Sequence, residues 1–486
     1  MESQSLRTRS TQRPDMERWL LFIFFLSLAI LNPWVRGDGV GYYAFARAPL
    51  IEHNFNFEHD YISANTGIRE ARLDEHGRPK EIFRTRTGHL DNHFTVGPAI
   101  LWTPFLLLAH GGVLIARALG AQVPADGFSA PYRLAMAIGT AFWGFLGLRL
   151  SFRLARPYAG DLWAFLATIS VWWASSLPVY MYFNPSWSHA HSAFAVSLFV
   201  FYWHRTREQR TLRQWLFLAL IAGLMLNVYY ANAMLLTVLV VEALRDYRAA
   251  LRGRAGAPVS QLIIRHFLFA VVALLCLLPT FVTRYIVYGS PFESGYGAVT
   301  NWAWRSPHFL AVLFSSEHGL FSWTPLLLLA TVGLVLFKFS EPRVGTPLLA
   351  AALAFYIFIA CYPDWAGISS FGNRFFVSLT PLFILGLSVF LQRVSRLFRS
   401  QRAAVATVSL ALALFVVWNA EFMFQWGAHL IPPRGRISWS VMIRNQFQAV
   451  PRQIALHLGD YLFHRHDLMR QIEDRDIDQL KKQSEP

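Results

Sequence analysis

Asp38 lies about four residues beyond the first long apolar run, in Arg36-Gly37-Asp38-Gly39-Val40-Gly41-Tyr42-Tyr43. A carboxylate so placed is a candidate proton acceptor for a reacting hydroxyl, and equally a turn residue or cap for a helix that begins near Gly41. Further on, Phe183-Asn184-Pro185-Ser186-Trp187-Ser188-His189-Ala190-His191 contains two histidines two residues apart. On a helix they point to different faces, whereas in an extended stretch they share one, and such pairs sometimes bind metal. Glu317-His318 and Asp364-Trp365-Ala366-Gly367, leading to Gly372-Asn373-Arg374, complete the set. Arg374 precedes an apolar run, so its guanidinium either snorkels to lipid headgroups or holds a phosphate. Trp302, Trp304, Trp323 and Trp365 fit an interfacial aromatic belt, and aromatic faces also stack on sugar rings.

The elements that must position these residues are membrane helices. Apolar residues make up 54% of the 486, in repeated blocks of about 15 to 22 residues, the length that crosses a roughly 30 Å hydrocarbon core. No small-residue cleavage site follows the first block, which reads as an anchor rather than a removed signal peptide. Cys276 and Cys361 both sit inside apolar blocks, so neither a disulfide framework nor a cysteine metal site is indicated.

The net charge of +15 flanks the apolar blocks. Arg7, Arg9, Arg13 and Arg18 precede the first block; later clusters are Arg149, Arg153 and Arg156; Arg205, Arg207, Arg210 and Arg213; Arg245, Arg248, Arg252 and Arg254; Lys338 and Arg343; and Arg393, Arg396, Arg399 and Arg402. This is the positive-inside pattern, which sets topology and attracts anionic headgroups, and it argues against a nucleic-acid partner. With the N-terminus inside, about 11 transmembrane helices at 19-35, 132-150, 162-181, 191-204, 214-229, 231-244, 266-286, 320-337, 346-362, 376-392 and 403-419 place every cluster inside. The block from Thr95 to Ala116 is then surplus. It reads as a re-entrant or interfacial helix on the outer side, with Gly97-Pro98, Pro104 and Gly111-Gly112 as breaks.

The fold class expected is therefore an all-α polytopic membrane protein with a long first extracytoplasmic loop, 36-131, that bears juxtamembrane helices. Residues 1-420 form the transmembrane domain and 421-486 an amphipathic and polar tail. In the first loop, Tyr42 to Ile51 reads as a short helix along the membrane surface with Arg47 and Glu52 on its polar side. The tail has an amphipathic stretch at Ile454 to Phe463 and a charged one at Asp467 to Lys482. No Gly-x-Gly-x-x-Gly after a strand, Walker loop, Gly-x-Ser-x-Gly elbow or His-Glu-x-x-His occurs. No cofactor is expected, and a divalent cation is not indicated.

Taken in order, these features resemble the GT-C superfamily of integral membrane glycosyltransferases, most closely its protein O-mannosyltransferase and aminoarabinose-transferase-like members and their bacterial relatives. The matching stretches are Gly37-Asp38-Gly39-Val40-Gly41-Tyr42-Tyr43, Phe94-Thr95-Val96-Gly97-Pro98-Ala99, Ser188-His189-Ala190, Tyr288-Gly289-Ser290-Pro291, His318-Gly319-Leu320-Phe321-Ser322-Trp323-Thr324-Pro325 and Phe371-Gly372-Asn373-Arg374-Phe375-Phe376. The resemblance implies a cell-envelope transferase, multi-pass in a bacterial inner membrane with a cytoplasmic N-terminus. It would move a sugar from a polyprenyl-phosphate donor to a glycan, lipid or protein acceptor at the outer face.

Asp38 falls where the family has its first-loop acid, a general base. Arg47, Arg84, Arg86, Arg284 and Arg374 are the candidates for the donor phosphate, with Arg374 in a matching motif, and His93, His189 and His191 join them as donor-site candidates. Tyr42, Tyr43, Glu58, Asp60, Glu317, His318 and Trp365 are candidates for acceptor binding. Two departures stand out. Gly39 replaces the family's Glu after the acid, and Phe94-Thr95-Val96-Gly97-Pro98 lacks the family's phosphate-binding lysine. The competing class, a lipid-linked-sugar flippase or polytopic transporter, would favour charged residues at mid-membrane depth, and the apolar cores here are nearly free of them. An O-antigen ligase or polymerase would place its main outer loop late in the chain, whereas here it comes first.

Overall fold

The computed structural model describes residues 15–253, 258–293, 295 and 299–484. Arg7, Arg9, Arg13 and Arg254 of the basic clusters lie outside the described residues. Among those described, the chain is helical, with only isolated bridges from Leu73 to Pro79 and from Arg84 to Leu90. In chain order the helices are α1 (Met16–Ser27), α2 (Asp38–Arg47), α3 (Glu58–Ile62), α4 (Thr66–Arg72), α5 (Gly97–Ala118), α6 (Ala130–Ala159), α7 (Asp161–Trp173), α8 (His189–Thr206), α9 (Leu212–Val228) and α10 (Thr237–Leu251). They continue as α11 (Val259–Leu275), α12 (Leu278–Tyr288), α13 (Phe309–Phe314), α14 (Leu320–Trp323), α15 (Leu326–Ser340), α16 (Pro342–Cys361), α17 (Thr380–Ser395), α18 (Gln401–Gly427), α19 (Trp439–Phe463) and α20 (Arg465–Ser484). Local signals set their ends. Thr211 and Gln214 close a capping box on α9. Gly160, at φ 83°, ends α6 and starts α7 within one residue, a backbone conformation that a side chain would strain.

The two ends of the bundle differ in chemistry. Glu17 of α1 pairs with Arg149 at 2.9 Å, Arg153 at 2.8 Å and Arg156 at 3.5 Å on α6. Tyr158 hydrogen-bonds His204 of α8 at 2.5 Å and its ring meets Phe337 of α15. Arg245 donates to the Arg343 carbonyl, and Arg393 to that of Leu336. The basic clusters that flank the apolar runs thus share one face. At the opposite end the Asn32 amide donates to the Tyr182 carbonyl at 2.7 Å, Thr95 to that of Val228 at 2.7 Å, and Trp187 to that of Arg36 at 3.0 Å. Segregating polar groups to the ends is what a multi-pass membrane protein requires, because unpaired charge at mid-depth is costly.

Among the described residues, five continuous helical stretches are long and apolar enough to cross a membrane: α5, α6, α16, α18 and Arg374–Ser395; α11 with α12, bent by 41°, makes a sixth. The expected count of about eleven excludes α5 and includes runs that are shorter or broken helices here. The run 162-181 is α7, an irregular link and a π-helical turn, Val179–Phe183. The run 231-244 starts with a 3-10 stretch, Tyr230–Leu236. Apolar composition continues through such breaks, so a hydropathy window does not separate them.

Two first-loop elements differ from expectation. The surplus block is not broken: α5 is one 22-residue helix, with Pro98 in its first turn, where a missing amide is harmless. It runs antiparallel to the first half of α6, through His110 to Tyr132 at 2.6 Å, Trp102 to Thr140 at 2.8 Å and Trp143 to the Leu101 carbonyl at 2.9 Å. The second half of α6 packs on α8, where Ser151 meets Ser197, so α5 stays beside the half of α6 remote from the basic face. Nor does α2 lie on a surface. It begins at Asp38 and is buried from Gly39 to Arg47, because Gly39 and Gly41 let it close onto Ser186 and Phe94, where a Cβ would collide.

The expected boundary at 420/421 falls inside α18. After it, α19 folds back along α18, with Gln425 donating to the Met442 carbonyl and Gln446 to that of Trp418. Small residues permit the closest helix packing. A side chain at Gly333 on α15 would strike the Gly386 carbonyl on α17. We predict that Gly333→Leu lowers the thermal unfolding midpoint in detergent, since overpacking costs about 1–3 kcal/mol. An unchanged midpoint would mean that the two helices do not pack here.

Candidate active site

The segment after α1 climbs to Gly37, whose φ of 55° and ψ of −132° turn the chain into α2. Asp38 is the first residue of α2, and its carboxylate does not cap the helix. It accepts a 2.6 Å hydrogen bond from Arg374 Nη1, across 336 residues of sequence. Arg374 opens the 3-10 turn Arg374–Leu379 that leads into α17. Its guanidinium lies over the Trp187 ring at 4.5 Å and near Phe375 at 5.6 Å. Side-chain exposure is 34% for Asp38 and 12% for Arg374, so the acid is the more accessible of the two.

Aromatic and polar groups surround the pair. His189, at the start of α8, stands edge-on to Tyr180 at 4.7 Å and lies near Trp187 and Tyr229. Tyr229 stacks parallel to Phe375, and Ser188 donates to the Tyr42 hydroxyl at 2.9 Å. Buried Nδ1 of His189, Oδ1 of Asn373 and Nε of Arg374 have no hydrogen-bond partner among the described residues. Such atoms cost about 1–3 kcal/mol each when unpaired, so a hydroxyl- or phosphate-bearing ligand has partners waiting. His191 does not join them. Two residues on in a helix is about 200° round, and its ring is buried edge-on to Trp102. The two histidines therefore do not share a face. Among the described residues no group of three His, Cys, Asp or Glu side chains is placed to hold a metal ion.

The other expected phosphate ligands are engaged elsewhere. Arg47 is buried, with Asp60 at 2.6 and 2.7 Å, Glu52 at 2.7 Å and the Phe128 ring beneath it. Asp60 is thereby a structural partner, and removing either member of such a buried pair costs about 3–5 kcal/mol. Arg284 is buried and donates to the carbonyls of Asn92, His93 and Phe94 and to Tyr230. It thus clamps the return leg of the first loop, where His93 Nδ1 also lies 4.0 Å from Asp91. Arg84 pairs with Glu58 at 2.7 Å, and Arg86 donates to the Tyr288 carbonyl. Tyr43 donates to the Gly127 carbonyl, deep beside Trp102.

On the far side of Arg374, the Trp365 carbonyl accepts from Asn373 at 3.0 Å and its ring faces His308. Glu317 has its amide on Ser315 Oγ, next to His318. Trp323 is fully buried, so it belongs to the core and not to an interfacial belt. Sequence reasoning did not single out Trp187, Tyr180 or Tyr229. The available signal was aromatic residues directly beside a matching motif, Trp187 before Ser188-His189, and a Tyr229-Tyr230 pair interrupting an apolar run.

His318 sits in a tight turn, with its Nδ1 2.7 Å from the Ala366 carbonyl and its Nε2 buried without a partner. Burial pushes the imidazole down to about 4, with nearby Arg374 acting in the same direction. Unfolded, it would titrate near 6.5. The neutral ring therefore contributes stability that is complete above pH 6.5 and lost as pH falls from 6.5 towards 4. We predict that the unfolding midpoint drops across this window and that His318→Gln makes the drop shallower; an unaltered pH slope in the variant would refute the assignment.

No protein-family model and no curated protein sequence matches the chain. Solved structures match its fold. ArnT from Cupriavidus metallidurans, bound to undecaprenyl phosphate, superposes at a TM-score of 0.50 and 14% identity, over 92% of this chain and 75% of that one. The oligosaccharyltransferase of Archaeoglobus fulgidus in its apo form gives 0.54 at 14% identity, over 85% and 56%. The same organism's AglB, in complex with an inhibitory peptide and a dolichol-phosphate, gives 0.51 at 13%, over 83% and 54%. This chain thus spans about half the length of the archaeal oligosaccharyltransferases, and it is similar in fold to ArnT and to those enzymes.

Proposed function

We propose that this protein is a membrane glycosyltransferase that takes a sugar from a polyprenyl-phosphate donor and gives it to an acceptor hydroxyl at the extracytoplasmic face. The observation that supports this best is the Asp38–Arg374 pair, an acid and a cation 336 residues apart in sequence joined at 2.6 Å, with the acid partly exposed. Two proteins of the same fold hold a polyprenyl phosphate, undecaprenyl phosphate in one and dolichol-phosphate in the other.

The reaction needs two things from the protein. The acceptor oxygen attacks the anomeric carbon and gives up its proton; the bond from that carbon to the phosphate oxygen breaks, and its electron pair leaves with the lipid phosphate. Asp38 takes the proton or orients the hydroxyl. Arg374 neutralises the departing phosphate, because a fixed donor aimed at developing charge stabilises it without reorganisation. The planar guanidinium suits this, with one edge towards Asp38 and Nε unpartnered. Without donor, each charge is the other's counter-ion. A bound phosphate would share Arg374 and leave the Asp38 carboxylate to meet the acceptor. The other candidate arginines and the lysine missing from Phe94-Thr95-Val96-Gly97-Pro98 add nothing at this position, so the phosphate role concentrates on Arg374.

Asp38→Asn should lower transfer from a polyprenyl-phosphate sugar in membranes by about 10²–10⁴-fold with expression retained, and should also lower the unfolding midpoint because Arg374 loses its counter-ion. Full transfer by the variant would remove Asp38 from the mechanism. Arg374→Lys keeps the charge and loses the fork, so it should weaken donor use more than acceptor use; equal effects on both substrates would contradict a phosphate role. Lipid profiling of a deletion strain should show an accumulated lipid-linked sugar that identifies the donor.

A further inference from the structure

We propose that Asn65 and Glu473 are positioning residues for Asp38, and that the C-terminal helix α20 acts on the site through them; this rests on the reading of Asp38 as a reacting group. The peptide before Asp38 is held from two sides. The Arg36 carbonyl accepts from Trp187 Nε1 at 3.0 Å, and the Gly37 amide donates to Asn65 Oδ1 at 3.1 Å. Gly37 has a backbone conformation that side chains rarely adopt, so external hydrogen bonds rather than local preference decide its orientation, and with it the direction of the next side chain.

Asn65 stands at the N-cap of α4, where an asparagine oxygen ordinarily accepts from the second or third helical amide. It makes no such bond. The Gly67 amide, second in α4, is met instead by Glu473 Oε1 of α20 at 3.3 Å. A carboxylate from a residue 406 positions away thus performs the cap, and the Asn65 oxygen is left to hold Gly37. The helix that delivers Glu473 is itself pinned beside the same segment. Arg465 donates to the carbonyls of Ala29 and Leu31, and the Tyr461 hydroxyl to that of Ile30 at 2.8 Å. These carbonyls belong to the 3-10 turn Leu28–Ile30 that follows α1 and to Leu31 after it, where chain leaving a helix has carbonyls to satisfy.

Removal of the Glu473 carboxylate lets Asn65 turn back to cap α4 and release Gly37. Glu473→Ala should therefore lower kcat about tenfold or more, as small misplacements of a reacting group do, with a smaller change in KM for the donor. Glu473→Gln keeps an accepting oxygen and should restore the rate. Asn65→Leu should match Glu473→Ala, Asn65→Asp should restore the rate, and the Asn65→Leu/Glu473→Ala double variant should be no slower than Asn65→Leu alone. A merely structural role would give additive losses and no rescue. Hydrogen exchange followed by mass spectrometry gives a readout independent of transfer: Glu473→Ala should speed exchange in the 33–40 peptide and leave the middle of α6 unchanged.

Unchanged exchange in that peptide, or additive kinetic losses, would overturn the relay. Faster exchange in a protein whose transfer does not require Asp38 would instead uphold the relay and defeat the transferase reading on which its catalytic meaning depends.

Discussion

The ion pair of Asp38 and Arg374 is the constraint on which the arrangement of the bundle end remote from the basic clusters depends. Arg374 is largely buried, and the partly exposed Asp38 is its nearest compensating charge. To bring them together, α2 must press into the bundle, which needs the small residues Gly39 and Gly41, and the turn at Arg374–Leu379 must present a cation at the mouth of α17. Trp187 then fills the space under the guanidinium and ties back to the Arg36 carbonyl. The first loop, the segment before α8 and the segment before α17 meet through this one contact.

Around the pair, arginine serves two distinct purposes. Arg47, Arg284 and Arg465 satisfy backbone carbonyls and buried acids, and so convert irregular segments into fixed structure. Chain that leaves a helix near a membrane carries unpaired carbonyls, and a guanidinium with several donors can meet a cluster of them at once. Arg374 differs because its one strong partner is a partly exposed acid, and part of its fork is unpartnered among the described residues. Composition does not separate these roles. The geometry of neighbouring carbonyls does.

The relation between sequence and site follows from the same division. Asp38 is readable because it sits at the outer end of an apolar run and in an ordered set of motifs. His189 and Arg374 are readable through those motifs, and in the structure they lie around the same tryptophan. His191 reads like His189 in sequence, but the start of α8 turns it to the other side. Arg47 and Arg284 have the right type and the right end of the membrane, and their engagement by acids and carbonyls depends on segments far away in the chain. Asn65 and Glu473 gave no signal at all, since a helix cap supplied from the other end of the chain leaves no local pattern.

By itself the sequence determined the helical class, the alternation of apolar runs with basic clusters, and the end of the bundle at which polar loops gather. These follow from transfer free energies of short segments, which depend on composition and length. Only the tertiary structure decided that α2 is buried rather than superficial, that α5 is continuous and remains on the half of α6 remote from the basic clusters, and that α20 returns to the first loop. It alone made Arg374 the partner of Asp38. Those outcomes depend on which backbones approach closely and which carbonyls remain to be satisfied after packing, quantities that exist only once distant segments have met.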